Sequence, residues 1–363
     1  MKVKVLKNDL IKNIQNVQNV ISAKSSLPIL SNILIETKDN KLQLTSTDLD
    51  IGISSVVSAE IEEEGAITVP AKRFNDIIKE LPNEDISIAT MKNNSVVIKC
   101  SKCFFKILGL PKEDFPKLPE FKDEKSVVIK QDILKKMISM THFSISHDEA
   151  RYILNGALFL FTPQKFIIVT TDGKRLSLIK QDLENCTLNR SIIVPSKTIY
   201  ELNRVLQDEG EVGVTLSENQ ARFELGNVTI ISRLIEGEFP NYEQVIPNES
   251  KDKALVQREG FLSSVRRAAL LTTQDSRSIK IDVLKNKMVI SKTSPNIGEV
   301  KEELEISYKG HETTIGFNPG YLIDVLKVLP KDEFEIDIVG SDKPAVIRID
   351  DWYVYLVLPM QLA

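Results

Sequence analysis

Few residues in this 363-residue chain are of types and at spacings that could do chemistry. Cys100 and Cys103 form a C-x-x-C, a spacing that serves metal binding or thiol redox chemistry. A zinc site needs four ligands, and no second pair follows at a suitable spacing; the third cysteine, Cys186, stands alone. The surrounding segment SVVIKCSKCFFKIL reads as one or two strands, in which cysteine acts as a small hydrophobe. His142, His147 and His311 sit in no H-E-x-x-H or triad-like setting, and neither a phosphate-binding loop nor a G-x-G-x-x-G is present. Thr47-Asp48 and Thr171-Asp172 twice set a hydroxyl beside a carboxylate, but at strand ends such pairs form turns. No catalytic constellation assembles from these residues, so the chain is expected to be no enzyme and to carry no metal or cofactor.

Composition points the same way. Apolar residues make up 42% and charged residues 27%, enough to build several globular cores. Three cysteines do not make a disulfide framework. No apolar run is long enough to cross a bilayer, and MKVKVLKNDL is no signal peptide, so the expected location is the cytoplasm. A net charge of −4 argues against tight gripping of nucleic acid, unless the charge is unevenly distributed.

Self-comparison supplies the organisation. GAITVPAKRFNDIIKELP from Gly65, RSIIVPSKTIYELNRVLQ from Arg190 and TTIGFNPGYLIDVLKVLP from Thr313 each join a β-like run, a turn and a helical run. An acid (Asp76, Glu201, Asp324) and then a leucine (Leu81, Leu206, Leu329) recur at the same offsets. LGLPKEDFP and SRLIEGEFP repeat at the same period, as do the two Thr-Asp pairs, and Leu358-Pro359 matches Leu110-Pro111 two periods later. A period of about 124 residues is the size of a whole domain, which predicts three tandem domains over 1–120, 121–248 and 249–363. FPKLPEFKDEKS and IPNESKDK are the polar, Pro-bearing connectors.

Each domain opens with a strand and an amphipathic helix. The first helix follows an N-cap at Asn8 and carries Leu10, Ile14, Val17 and Ile21 on one face; the second carries Ile133, Leu134, Met137 and Ile138; the third carries Phe261, Val265, Ala268 and Ala269. Runs rich in Val, Ile, Thr and Phe follow, joined by links too short for crossovers. The predicted class is α+β, with two helices on antiparallel sheets in each copy. The six helices, read as 7–24, 71–80, 130–142, 196–206, 257–271 and 319–329, carry net charges of +2, +1, +2, +1, +2 and zero, or +8 in all, leaving −12 on everything else. Lysine and arginine suit surface helices anyway. When equivalent helices share the bias and face one way, they make a lining that attracts phosphates without reading bases. Aromatic residues, at 6%, are too few and too scattered for single-strand stacking. A repeat scaffold that binds only proteins would share the repeats but would not need basic helices.

Three stretches identify a family: LPILSNILIE at Leu27–Glu36, RYILNGALF with TTDGKRLSL at Arg151–Leu178, and the terminal VYLVLPMQL. From end to end the chain resembles the bacterial sliding clamp, the β subunit of the replicative DNA polymerase III holoenzyme. The resemblance implies three copies of a clamp domain per chain. It further implies a head-to-tail homodimeric ring that encircles double-stranded DNA without sequence preference and confers processivity. The implied partners are the DNA polymerase III alpha subunit, the clamp loader, and other polymerases and repair proteins with clamp-binding motifs; no membrane is involved.

The resemblance also implies sites. A peptide pocket would be formed by Leu154, Thr171, Gly173, Lys174, Arg175, Leu176, Pro240, Val245, Leu356 and Leu358. Its neighbouring part would include His147, Arg151, Asn318, Tyr321, Pro344, Pro359 and Met360. Apolar walls with a few orienting polar groups suit a short peptide. Lys174 stands where the family commonly has histidine and Gln361 where it commonly has a basic residue, and Ala363 extends the tail by one. DNA contacts would fall on Lys24, Lys72, Arg73, Tyr152, Lys197, Arg204 and Arg233. The subunit seam would pair Phe105 and Ile107 with Leu270 and Leu271 of the other chain. There Glu302, Glu303 and Glu305 would face basic residues such as Lys99 and Lys102.

Overall fold

The structure is a computed structural model that describes residues 1–21, 27–121, 126–183, 186, 188–250, 252–295 and 297–362. Contacts divide it into two compact units, one of residues 1–135 with 197–234 and the other of residues 136–196 with 235–363. Among the described residues there are six α-helices: α1 (Lys7–Gln18), α2 (Ala71–Glu80), α3 (Gln131–Ser139), α4 (Ser196–Val205), α5 (Arg258–Ala269) and α6 (Pro319–Val328). None is long and apolar enough to cross a membrane.

The predicted helices are present; α2 has the predicted bounds, and the other five are shorter than their periodicity suggests. α1 begins directly from the strand Lys2–Leu6, so Asn8 lies inside the helix and Leu6 holds the cap position with no side-chain bond. The Lys7 N–H donates to the Glu84 carbonyl at 3.3 Å, which satisfies a donor that a capping side chain would otherwise take. Leu10, Ile14 and Val17 are fully buried, while Ile21 lies beyond the helix end. Lys24 falls outside the described residues, and Lys130 belongs to a strand. Over the observed helices the net charge is therefore +6 and the remainder −10. The separation of charge persists at a smaller size.

The first unit holds a five-stranded sheet in the order Glu60–Glu63, Lys2–Leu6, Asp85–Thr90, Ser95–Cys100, Cys103–Leu108. It also holds an eight-stranded sheet in which Val228–Arg233 pairs with Ile51–Val57. That pairing joins four strands of the first repeat to four of the second. The second unit repeats the device. Arg175–Asp182 of the second repeat pairs with Tyr353–Val357 of the third, and a four-stranded sheet ends on Gly298–Glu305. All pairings are antiparallel, as the short links require. Each repeat thus supplies two small sheets, and a strand pairing fuses one repeat to the next.

The copies share a closing contact. An isolated bridge ties Thr68 to Leu110, Ile193 to Ile235 and Gly316 to Met360. A Cβ on Gly316 would lie 2.6 Å from the Met360 carbonyl oxygen, so the tail needs glycine there to come this close. The C-terminal segment is consequently laid along the strand Thr313–Phe317 as part of the fold. Cys100 and Cys103 are register partners across a two-residue hairpin, both with free thiols, as the strand reading of their segment expected.

Candidate functional site

The Thr171-Asp172 pair forms the predicted turn. Thr171 Oγ1 donates to the Arg175 carbonyl (2.6 Å) and accepts the Gly173 N–H (3.0 Å). Asp172 Oδ1 accepts from the N–H groups of Lys174 (2.9 Å) and Arg175 (3.0 Å). Gly173 sits at φ +82°, a left-handed backbone that favours glycine, with the tip of the Arg151 side chain beside it.

This turn aims the strand Arg175–Asp182 at the tail. Leu176 pairs with Leu356, and the Leu358 N–H donates to the Lys174 carbonyl at 2.9 Å. Leu176 and Leu356 are buried in one cluster with Leu158, Val169, Leu178, Ile193 and Val346, and Phe239, Tyr242 and Ile246 pack against it from one segment. Pro240 and Val245 lie in that same segment, with Val245 54% exposed; Leu358 is 39% exposed and Leu154 is buried at 9%. The result is an apolar floor with exposed apolar residues at its margin. Pro344 directly precedes Ala345, which pairs with Val357, and Pro359 and half-buried Met360 continue the tail. His147 is exposed, and Asn318 caps α6 by accepting the Gly320 N–H at 2.9 Å.

Arg175 plays a different part from its neighbours. Its side chain is only 10% exposed and bonds Asp172 (Nε to Oδ2, 3.0 Å), Asp324 (Nη1 to Oδ2, 2.7 Å) and the Phe143 carbonyl, with Tyr321's ring centre 4.3 Å away. Burial opposes its charge, but Tyr355, Asp324 and Asp172 outweigh that and raise its pKa. The Tyr355 hydroxyl donates to the Tyr321 carbonyl at 2.8 Å and is pushed well above the usual phenol range by burial. Arg175 therefore braces the turn against α6, while Lys174, exposed beside it, keeps its ammonium at the margin. Arg151 shares Asp148 (3.6 Å) and donates to the Asp172 carbonyl at 3.4 Å. The wall residues Phe239, Tyr242 and Ile246 and the brace Asp324 were not among the predicted site residues. Asp324 showed only as a repeat landmark, and the repeated Phe-Pro was the trace of the wall.

Cys103–Leu108 and Gly298–Glu305 are each the edge strand of their sheet. Cys103–Leu108 leaves Phe104 61%, Phe105 37% and Leu108 73% exposed, while Ile107 is buried. Gly298–Glu305 is acidic; Glu302 is held by Arg267 of the same chain, which keeps its carboxyl below the usual range, and Glu303 by Lys287 at 3.3 Å, while Glu305 is exposed. Leu270 is 78% exposed, and Leu271 is half-buried.

The basic residues separate into two kinds. Lys72, Arg73 and Arg233 are exposed, as is Tyr152 in the other unit. Lys197 bonds Asp48 and the Val20 carbonyl. Arg204 bonds Glu201 and donates to the carbonyls of Gln15 (3.2 Å) and Asn16 (2.7 Å), which clamps α4 to α1. Among the described residues, no group of three or more His, Cys, Asp or Glu is gathered so that it could hold a metal ion.

Comparison with known proteins adds three family matches in tandem. The N-terminal, central and C-terminal domains of the DNA polymerase III beta subunit match residues 1–119, 128–241 and 243–361. The Beta sliding clamp of Chlamydia pneumoniae is 32% identical over 366 residues, covering 100% of this chain and 99% of its own length. That of Staphylococcus aureus is 31% identical over 374 residues, covering 99% of each. The DNA polymerase sliding clamp of Bacillus subtilis superposes with a TM-score of 0.96 at 31% identity, covering 100% of both chains. A sliding clamp of Bartonella birtlesii, solved bound to griselimycin, gives 0.94 at 31%, also covering 100% of both.

Proposed function

The chain belongs to the DNA polymerase III beta subunit family, the sliding clamps, which are non-catalytic processivity factors of DNA replication. From that premise we propose how this sequence closes on DNA and where it takes its partners. Two chains join head to tail, the edge Cys103–Leu108 of one against Gly298–Glu305 of the other. Phe105 and Ile107 meet Leu270 and Leu271, and Glu303 and Glu305 face the lysines Lys99, Lys102 and Lys106. Free edges of opposite charge support this pairing, since an unpaired hydrophobic edge is otherwise a liability.

The closed ring of six domains encircles duplex DNA in the cytoplasm, touching phosphates through Lys72, Arg73, Arg233 and Tyr152. Such contacts are weak and blind to sequence, which a ring that slides requires. Lys197 and Arg204 contribute positive potential while holding α4 in place.

The Leu176–Leu356 cleft, with Leu154, Pro240, Val245, Leu358 and Met360 around it, takes the short apolar peptide of the polymerase alpha subunit, the clamp loader and other polymerases and repair proteins. It is the site at which griselimycin is expected to bind this chain. The observation that carries the whole reading is the three-part match along the full length of the chain. Solution mass tests closure. A stable species of twice the 40.9 kDa chain mass is expected, and a strict monomer at micromolar concentration would refute the ring.

A further inference from the structure

A lysine stands among the core residues of the second unit. Along the strand Lys287–Ser294, Met288, Ile290 and Ser294 alternate on the buried face, and Lys292 takes the place between the last two at 7% exposure. Among the described residues no carboxylate pairs with its ammonium, which donates to Ser276 Oγ. Burial lowers its pKa, with no acid to offset it. A buried ammonium on one neutral acceptor costs stability, and an alkyl side chain of similar length would fill the same space without that cost.

Its acceptor lies on residues 270–278, which join α5 to the strand Ile279–Leu284 with no helix or strand of their own. The turn there closes on itself: the Thr273 N–H donates to the Ser276 carbonyl at 3.2 Å, and the Ser276 N–H to Thr273 Oγ1 at 3.1 Å. At the start of the same segment stand Leu270, 78% exposed, and half-buried Leu271. Lys292 itself lies opposite Val300 of the edge strand Gly298–Glu305. The ammonium therefore links the two parts that this unit brings to the seam, the Leu270–Leu271 knob and the acidic edge. A second tie, from Arg267 to Glu302, ends on an arginine that is 56% exposed, where a charge pair contributes little.

We propose that Lys292 is a positioning residue of the ring seam, whose bond to Ser276 sets the Leu270–Leu271 knob against the edge Gly298–Glu305 so that both meet the partner chain together. The proposal rests on the seam reading given above. A knob and an edge dock as one surface only when their spacing is fixed beforehand, because a loop that must be ordered on contact costs affinity. A buried cation that does not favour the fold is explained by what it holds in place.

Sedimentation equilibrium of the full-length protein over a dilution series tests this. Lys292→Met is expected to raise the dimer dissociation constant at least tenfold, and Ser276→Ala to do the same. The double variant should raise it no further than the larger single effect, because both substitutions remove one bond. Peptide affinity at the Leu176–Leu356 cleft of the same unit is expected to be unchanged, which separates positioning at the seam from general damage. Dimerisation at the wild-type constant in either single variant overturns the proposal. So does a double variant whose effect is the product of the two single ones, or a parallel loss of peptide affinity in Ser276→Ala. If Lys292→Met fails to fold, Ser276→Ala decides alone. A monomeric wild type overturns instead the seam reading itself.

Discussion

Arg175, the first residue of its strand, reaches Asp324 on α6 with Nη1 2.7 Å from Oδ2, and the same guanidinium holds Asp172 at 3.0 Å. One buried cation thus ties the turn beside the cleft to the helix of another repeat. Arg175→Ala would leave two carboxylates without their partner and is expected to cost about 3 kcal/mol in stability. Peptide affinity should fall with it, because the turn that positions Lys174 and Leu176 is released. Denaturant melts alongside peptide titration check this. Wild-type stability would show that the brace is dispensable.

Leu358 offers a cleaner probe of the cleft. Its side chain is 39% exposed and its role in the fold is a backbone bond to Lys174, so Leu358→Ala should leave stability within about 0.5 kcal/mol. Peptide affinity should drop about tenfold, or ~1.4 kcal/mol. Truncating the tail is a poorer test, since Met360 bridges Gly316 and its loss disturbs the strand beneath. Fluorescence anisotropy with a labelled clamp-binding peptide decides; unchanged affinity removes Leu358 from the site.

Charge reversal should distinguish the two kinds of basic residue. Arg73→Glu is expected to fold normally and to weaken DNA association, lowering the salt slope by about 0.9 for each phosphate that is no longer neutralised. Arg204→Glu should destabilise by roughly 2 kcal/mol, because the carbonyls of Gln15 and Asn16 lose a charged donor. Thermal melts paired with salt-dependent DNA binding separate the outcomes. Equal melting of both variants would contradict the clamp role of Arg204.

Lys292 gives a pH test. It is 7% exposed, its ammonium bonds Ser276 Oγ, and burial lowers its pKa from the ordinary 10.5. Below the folded-state pKa the folded protein bears a penalty for a buried charge. Between that value and 10.5 the unfolded chain binds more protons, so stability contributed by this group rises with pH. Lys292→Met should raise stability by roughly 1–3 kcal/mol at neutral pH and lose the alkaline rise relative to wild type. Parallel pH series of melting temperature show it, and identical profiles for the two proteins would refute it.

Much of the fold was legible because its signals are local. Repeat landmarks such as Asp76, Glu201 and Asp324, and the apolar faces at Leu10, Ile14 and Val17, are written in spacing alone. Helix ends were less so: α1 starts without a side-chain cap because the partner for its first donor, Glu84, comes from far along the chain. The roles of Lys197 and Arg204 were hidden for the same reason, since their partners Asp48, Gln15 and Asn16 lie about 150–190 residues away in sequence. Nor does periodicity reveal that Val228–Arg233 pairs with Ile51–Val57, because either strand would read the same at a sheet edge. The cleft's floor residues were named through resemblance, while its wall at Phe239, Tyr242 and Ile246 left only the repeated Phe-Pro as a trace and was assigned by packing.

The central claim is topological. The clamp is loaded onto nicked circular DNA, the circle is cut at one site, and the protein remaining on the DNA is measured. A ring is retained on the circle and slides off the linear form. Equal retention before and after cutting would mean that the protein holds DNA by direct attachment to its surface, which contradicts the account.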